Sequence, residues 1–217
     1  MTSITKKVKI SGVGIHSGKD VNMTILPSKK PGIFFKRTDM VGSDLIPAIY
    51  DNVGETTMRN TTIGDKNGAH VQTIEHLMAA LFILGIDSAI IEIDGPETPI
   101  MDGSAYEFIK ALSKVVDKKT PMKKIIIKKT VVAHRNELVR FMPFWKKIKT
   151  IILNHTIWRH GNGFVKLSPN KSGLSIDATL VYGDKIIGKQ SYSYKMDGTK
   201  RSVDKFIKDV SKSRTFG

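Results

Sequence analysis

The 217-residue chain has no cysteine. Disulfide staples are therefore excluded, as is every metal site built on thiolate, and any zinc would have to be held by histidine, aspartate or glutamate. No apolar run approaches the roughly 20 residues of a bilayer-crossing helix, so stable membrane insertion is not expected. The opening MTSITKKVKISGVGIHSG lacks the block of about 7 to 15 apolar residues that marks a secretory signal, which makes a cytoplasmic protein the expectation. Acidic side chains are also in short supply, with 20 Asp and Glu against 35 Lys and Arg and a formal net charge of +15. Such a balance raises nucleic acid or anionic lipid as partners. The lysines are scattered and mixed with acids rather than gathered into a stripe, so nucleic acid is not the expected partner. What the chain does have is a 40% hydrophobic content, enough for real cores, and six histidines.

Periodicity divides it into two halves of similar design. Val21 to Leu26, Ile33 to Lys36 and Ala89 to Ile93 read as strands. Ile74, Leu77, Met78, Leu81 and Gly85 fall at helical spacing, as do Phe108, Leu112, Val115 and Val116 behind a capping box of Ser104 and Glu107. In the second half Ile125 to Val132 and Phe164 to Leu167 read as strands. Leu174, Ile176, Ala178 and Leu180 alternate with polar residues as in a half-buried strand. Val203, Phe206, Ile207 and Val210 then mark one helix behind Ser202. LPSKKPGI at 26–33 and SPNKSGL at 168–174 share Pro, Lys and Gly between strands. The expected fold is α+β, with two related two-layer α/β sandwich domains: residues 1–120 carry Glu75 and His76, and residues 121–217 form an incomplete second domain. Residues 133–161 break the rhythm. They hold both tryptophans, three histidines and six Lys or Arg against one Glu, and read as an atypical insertion.

Chemistry centres on Glu75 and His76 in TIEHLMAAL. Thr73 is placed to cap the helix, putting both residues in the first turn, where the dipole favours a carboxylate. A metal-bound water near His76 would give Glu75 a proton to accept. A surface Glu beside a His at the core edge is the plainer alternative, because one Glu-His pair is a weak motif. In GVGIHSG the glycines suit a tight turn, and His16 is either substrate-facing or structural. In MDGS, Asp102 and Gly103 suit a turn and Ser104 a helix cap.

Three stretches in order, SGVGIHSGKDVNMTILPS, TIEHLMAALFILGIDSAIIEIDGPETPIMDGS and SRTFG, together resemble the zinc-dependent UDP-3-O-acyl-N-acetylglucosamine deacetylases of lipid A biosynthesis. The resemblance implies hydrolysis of an acetyl group from a UDP-linked acylated glucosamine. It implies that His76 is a zinc ligand, Glu75 the general base and Thr215 a hydroxyl that helps hold the oxyanion. Met58, Thr61, Thr62, Phe216 and His16 would face the substrate. The family's second His, its Asp ligand, its diphosphate-binding Lys and its general-acid His have no match in residues 1–217, and the family joins the strands around 133–161 by a short hairpin. A C-terminally truncated member, inactive alone unless a separate C-terminal fragment completes it, is therefore the expectation. An inactive fragment or degraded gene product, and a basic module binding nucleic acid or a membrane surface, are the alternatives.

Overall fold

The computed structural model describes residues 2–54, 60–117, 126–134 and 163–214. The chain divides into two compact units, Met1–Lys123 with Val203–Gly217, and Lys124–Ser202. Helices and sheets are both present, and the fold is α+β.

The first unit is built on a five-stranded sheet of β1 (Val8–Val13), β2 (Asp20–Pro27), β3 (Gly32–Arg37), β4 (Ile46–Pro47) and β7 (Ser88–Ile93), in the order β1-β2-β7-β3-β4. β7 pairs antiparallel with β2 and parallel with β3, which places Ile25, Ile91 and Phe35 in one row, all fully buried. Along β2, Val21, Met23 and Ile25 are buried while Asp20 and Asn22 are exposed, the period of two that a sheet with one covered face demands. In the chain between β4 and β7 come the short β5 (Ile63–Gly64) and β6 (His70–Val71), paired with each other in a separate two-stranded sheet. Buried Arg37 grips Asp39 through Nε and Nη2 at 2.8 and 2.7 Å and donates from Nη1 to the His70 carbonyl at 2.8 Å, fixing β6 beside the end of β3.

Helix α1 (Glu75–Leu84) buries Leu77, Ala80, Leu81 and Ile83 and packs on α2 (Tyr106–Leu112), which buries Phe108, Ile109 and Leu112. Gly85 ends α1 at φ 75°, its N–H bonded to the Leu81 and Phe82 carbonyls, so its place in the helical spacing is that of a C-terminal cap. The helical spacing expected to reach Val116 stops at Leu112. Thr5 N–H takes the Val115 carbonyl at 2.7 Å, Asp117 N–H takes the Ser3 carbonyl at 2.8 Å, and Ile4 bridges Val116, so pairing with the N-terminal segment replaces the last helical turn. The capping box also fails. Ala105 is the N-cap, Ser104 Oγ accepts the Tyr106 N–H at 3.1 Å, and Glu107 faces Lys110 at 3.6 Å instead of reaching back.

In the second unit β8 (Val131–His134) pairs with β9 (Phe164–Leu167) over four residues, and β10 (Leu174–Val181) pairs with β11 (Lys189–Met196) over eight. Of the strand expected over 125–132, residue 125 lies outside the described residues, 126–130 are not strand, and pairing with β9 begins at Val131. β10 forms as expected but is not half-buried, with Ile176 at 44% and Leu180 at 57% exposure. β11, a polar strand, was not expected at all. The connections that share Pro, Lys and Gly do join strands, β2 to β3 and β9 to β10, and neither pair of strands is hydrogen-bonded together. Helix α3 (Lys200–Asp209) begins before Ser202. Thr199 is its cap, with its hydroxyl accepting the Ser202 N–H at 3.3 Å. The Thr199 hydroxyl and amide both donate to Asp197, holding that carboxyl down at about 2. Most of 133–161 lies outside the described residues.

Burial sets the expected cost of substitutions. Phe108→Ala in the first unit should lower stability by about 3–5 kcal/mol in chemical denaturation. Leu180→Ser on exposed β10 should cost less than about 1 kcal/mol and reduce self-association in light scattering.

Candidate active site

Leaving β7, the chain turns at Asp94–Pro96 and runs beside residue 72. Gln72 N–H donates to the Pro96 carbonyl at 2.8 Å, and Thr98 N–H returns a bond to the Gln72 carbonyl at 3.1 Å. The Glu97 between them is buried, at 1% exposure. Its carboxylate accepts the Thr73 hydroxyl at 2.7 Å, the Ser17 N–H at 2.8 Å and the His16 N–H at 3.1 Å from each oxygen. Burial pushes its pKa up, but the Thr73 hydroxyl, the Ser17 and His16 amides and the Ser17 hydroxyl together outweigh burial and hold it below the ordinary 4.5. The β1–β2 hairpin is wrapped around this group. Gly14 N–H bonds the Lys19 carbonyl, Gly18 N–H bonds the Gly14 carbonyl, and Gly18 takes φ 64°. At Gly14 a Cβ would stand 2.4 Å from Glu97 Oε2 and 2.3 Å from Ser17 Oγ, so only glycine lets the backbone come this close.

Thr73 is not the helix cap. Its hydroxyl is taken by Glu97, and its backbone sits at φ 58°, left-handed and strained for a β-branched residue. The N-cap is Ile74, which has no side-chain cap bond. The carbonyl of Thr73 is anchored by the buried Thr98 hydroxyl. From this turn Glu75 and His76 enter the first turn of α1, both half-buried. Glu75 Oε2 accepts the Thr61 N–H at 3.0 Å, and Ile74 N–H reaches the Thr61 carbonyl at 3.4 Å, so the residue 60–62 stretch lies against the start of α1. Thr62 Oγ bonds Asn60 Oδ1 at 3.2 Å.

The expected site residues thus fall into three groups. Thr61 meets Glu75 directly, with Thr62 adjacent. His16 joins them only through its backbone, since its amide shares Glu97 with Thr73 while the residue itself is exposed. Met58, Thr215 and Phe216 lie outside the described residues. Arg214 reaches Asp102 Oδ2 at 3.6 Å, which puts residue 214 beside the MDGS turn. Asp102 Oδ1 also accepts the Ser104 hydroxyl at 2.7 Å and amide at 3.1 Å. The hydroxyl bond, more than the opposing burial, and then the amide bond and Arg214 hold its carboxyl below the usual range. MDGS is thus a turn, with Gly103 at φ 83°. Glu97 had no role assigned from sequence. The one available signal was a carboxylate in PETPIMDGS, between two prolines and flanked by a second threonine.

Among the described residues, no three of histidine, aspartate and glutamate converge into a group able to hold a metal. Glu75 and His76 alone do not fit a zinc site of at least three protein ligands. No helix among the described residues is long and apolar enough to cross a membrane.

Residues 1–153 match the protein family described as LpxC: UDP-3-O-acyl N-acetylglycosamine deacetylase. The UDP-3-O-acyl-N-acetylglucosamine deacetylase of Shewanella halifaxensis is 37% identical over 216 residues, covering 99% of this chain and 61% of that protein. That of Shewanella violacea is 38% identical over 218 residues, and that of Actinobacillus pleuropneumoniae 31% over 217, with the same coverage. The chain belongs to the UDP-3-O-acyl N-acetylglycosamine deacetylase family. It spans 61% of the length of these relatives.

Two outcomes follow from Glu97. A carboxyl whose folded pKa is depressed adds stability that is complete above its unfolded value and is lost as pH falls through the folded one. Thermal melts from about pH 6 to about pH 3 should therefore fall more steeply for the wild type than for Glu97→Gln. Gly14→Ala should lower the melting temperature and make the Ser17 amide exchange faster, because its methyl group displaces the carboxylate.

Proposed function

We propose that this chain carries part of the active site of a zinc-dependent hydrolase that removes the acetyl group from UDP-3-O-(3-hydroxyacyl)-N-acetylglucosamine in lipid A biosynthesis, acting in the cytoplasm. The observation that carries this reading is the placement of Glu75 and His76 side by side at the start of α1, in a chain of this deacetylase family. Glu75 is the general base. With one oxygen fixed by the Thr61 amide, its carboxylate is oriented to take a proton from the water that adds to the acetyl carbonyl. Delivery of a proton to the nitrogen as the C–N bond breaks then releases acetate and the sugar amine. His76 would contribute one ligand to zinc, and the described residues do not supply the others. Thr215 donates to the carbonyl oxygen as it becomes negative. Met58, Thr61, Thr62, Phe216 and His16 border the sugar and its acyl chain. Nucleic acid is not a partner on this reading.

The same reading takes residues 1–120 and 121–217 as two related two-layer α/β sandwiches, the second incomplete, with 133–161 an atypical insertion. The family model matches residues 1–153 and so ends inside that stretch, while the relatives align over 99% of the chain. On this reading the further zinc ligands come from the part of the relatives' length that this chain does not span, which can be supplied as a separate polypeptide.

The experiment is zinc titration by calorimetry, with deacetylase assay, on the chain alone and with that polypeptide added. Alone, the chain should hold zinc weakly and show no turnover. With the polypeptide, zinc affinity, solubility and activity should rise together. His76→Ala should remove the zinc, while Glu75→Ala should remove activity and leave the zinc. One zinc held tightly by the chain alone would reveal ligands beyond His76. Binding of the polypeptide with no activity would leave the chain a degraded member of its family.

A further inference from the structure

Glu97 is buried, and its carboxylate is surrounded by hydrogen-bond donors of the protein. A carboxylate offers about four acceptor positions. Here the Thr73 hydroxyl at Oε1, the Ser17 amide at Oε2, one His16 amide shared between the two oxygens and the Ser17 hydroxyl crowd them. Such a group is poorly suited to hold a metal or a ligand, and it must act through its donors. Those donors come from two segments about 57 residues apart in the chain, by their numbers, the GVGIHSG hairpin and the turn that starts α1.

Resting on the deacetylase reading above, we propose that Glu97 is a positioning residue of that site: it holds Thr73 in the left-handed conformation from which α1 departs, and it ties the His16 hairpin to the same turn. Thr73 is the hinge of this arrangement. A threonine at φ 58° is unfavourable on its own, and two bonds keep it there, from its hydroxyl to Glu97 and to its carbonyl from Thr98. Two residues further on stands Glu75 and then His76, so the rotation of Thr73 sets where the base and the candidate ligand point. Because one carboxylate serves both segments, His16, Glu75 and His76 are presented as a unit. A shift of 1 Å at such a point is enough to cost about a hundredfold in rate.

The test compares amide and imidazole NMR spectra of the 217-residue chain as wild type, Glu97→Ala, Glu97→Gln, Thr73→Val and Thr73→Ser. Leu112→Ala serves as a core variant that weakens the same unit without touching these bonds. The proposal expects Glu97→Ala and Thr73→Val both to shift the Glu75 and His76 signals, and Glu97→Ala to speed exchange of the His16 and Ser17 amides about tenfold or more. Thr73→Ser, which keeps the hydroxyl, should restore the wild-type spectrum at Glu75 and His76. Glu97→Gln, which keeps the size but loses the charge, should fall between. The Thr73 pair keeps the test decisive if Glu97→Ala does not fold.

The proposal is overturned if Thr73→Val leaves Glu75 and His76 unmoved, or if Leu112→Ala moves them as much. Adding zinc to the same samples keeps the two readings apart. Zinc that leaves the His76 imidazole unchanged, while Glu97→Ala moves it, counts against the deacetylase reading and leaves the positioning role standing.

Discussion

One buried carboxylate is the constraint around which the first unit is arranged. Placing Glu97 away from water is costly unless hydrogen bonds replace the lost hydration. Thr73, Ser17 and His16 replace it, and each comes from an element that then has little freedom left. Gly14 is glycine because of that carboxylate, Thr73 is strained because of it, and α1 starts without a side-chain cap because the threonine hydroxyl is engaged elsewhere. An ordinary capped helix would have been locally more stable. The local loss is offset by a bond network that joins a hairpin, a helix start and the exit from a central strand.

The sheet supplies the rigid ground for that network. β7 lies in its middle, paired on both sides, and delivers Glu97 four residues after its last strand residue, Ile93. Asp94 is itself held at the edge of β2, where it takes the Asn22 amide at 2.7 Å and the Asn22 side chain at 2.8 Å. Arg37 does the matching work on the other side of β7, holding β6 in place just before Thr73. The approach to the candidate site from both directions along the chain is therefore fixed by charge-assisted bonds.

How much of this could be read from residues alone depended on whether the deciding interaction was local. Alternation along Asp20–Pro27 and helical spacing at Leu77 and Leu81 announce elements whose period is set by one covered face, and these formed as expected. The Glu-His pair also stands where spacing placed it. Two of the failures involve partners far away in the chain. Thr73 has the composition of a cap, and only the distant Glu97 diverts its hydroxyl. Val115 and Val116 continue a helical stripe, yet residues 3–5 compete for their backbone. β11, Lys189–Met196, is mostly exposed, and the alternation of Tyr192, Tyr194 and Met196 with Ser and Lys is too short and too polar a stripe to announce it. It is a strand because β10 pairs with it along eight residues.

The N-terminal tie has a consequence for the order of events during synthesis. Thr2 N–H bonds Asp87 across 85 residues, and Thr5 bonds Val115 across 110, while the β3–β7 ladder joins Gly32–Arg37 to Ser88–Ile93. None of these closures is available to a nascent chain until Asp87 has left the ribosome, and the last of them waits for Val115. Until then β1 and β2 have only each other, and a lone two-stranded hairpin is marginal in water. Contacts of this reach make folding slow, with the apolar face of β2 uncovered in the interval. The first unit is thus one whose earliest residues wait longest for their partners, and a chaperone that shields the emerging hairpin would act on the step that the topology makes slowest.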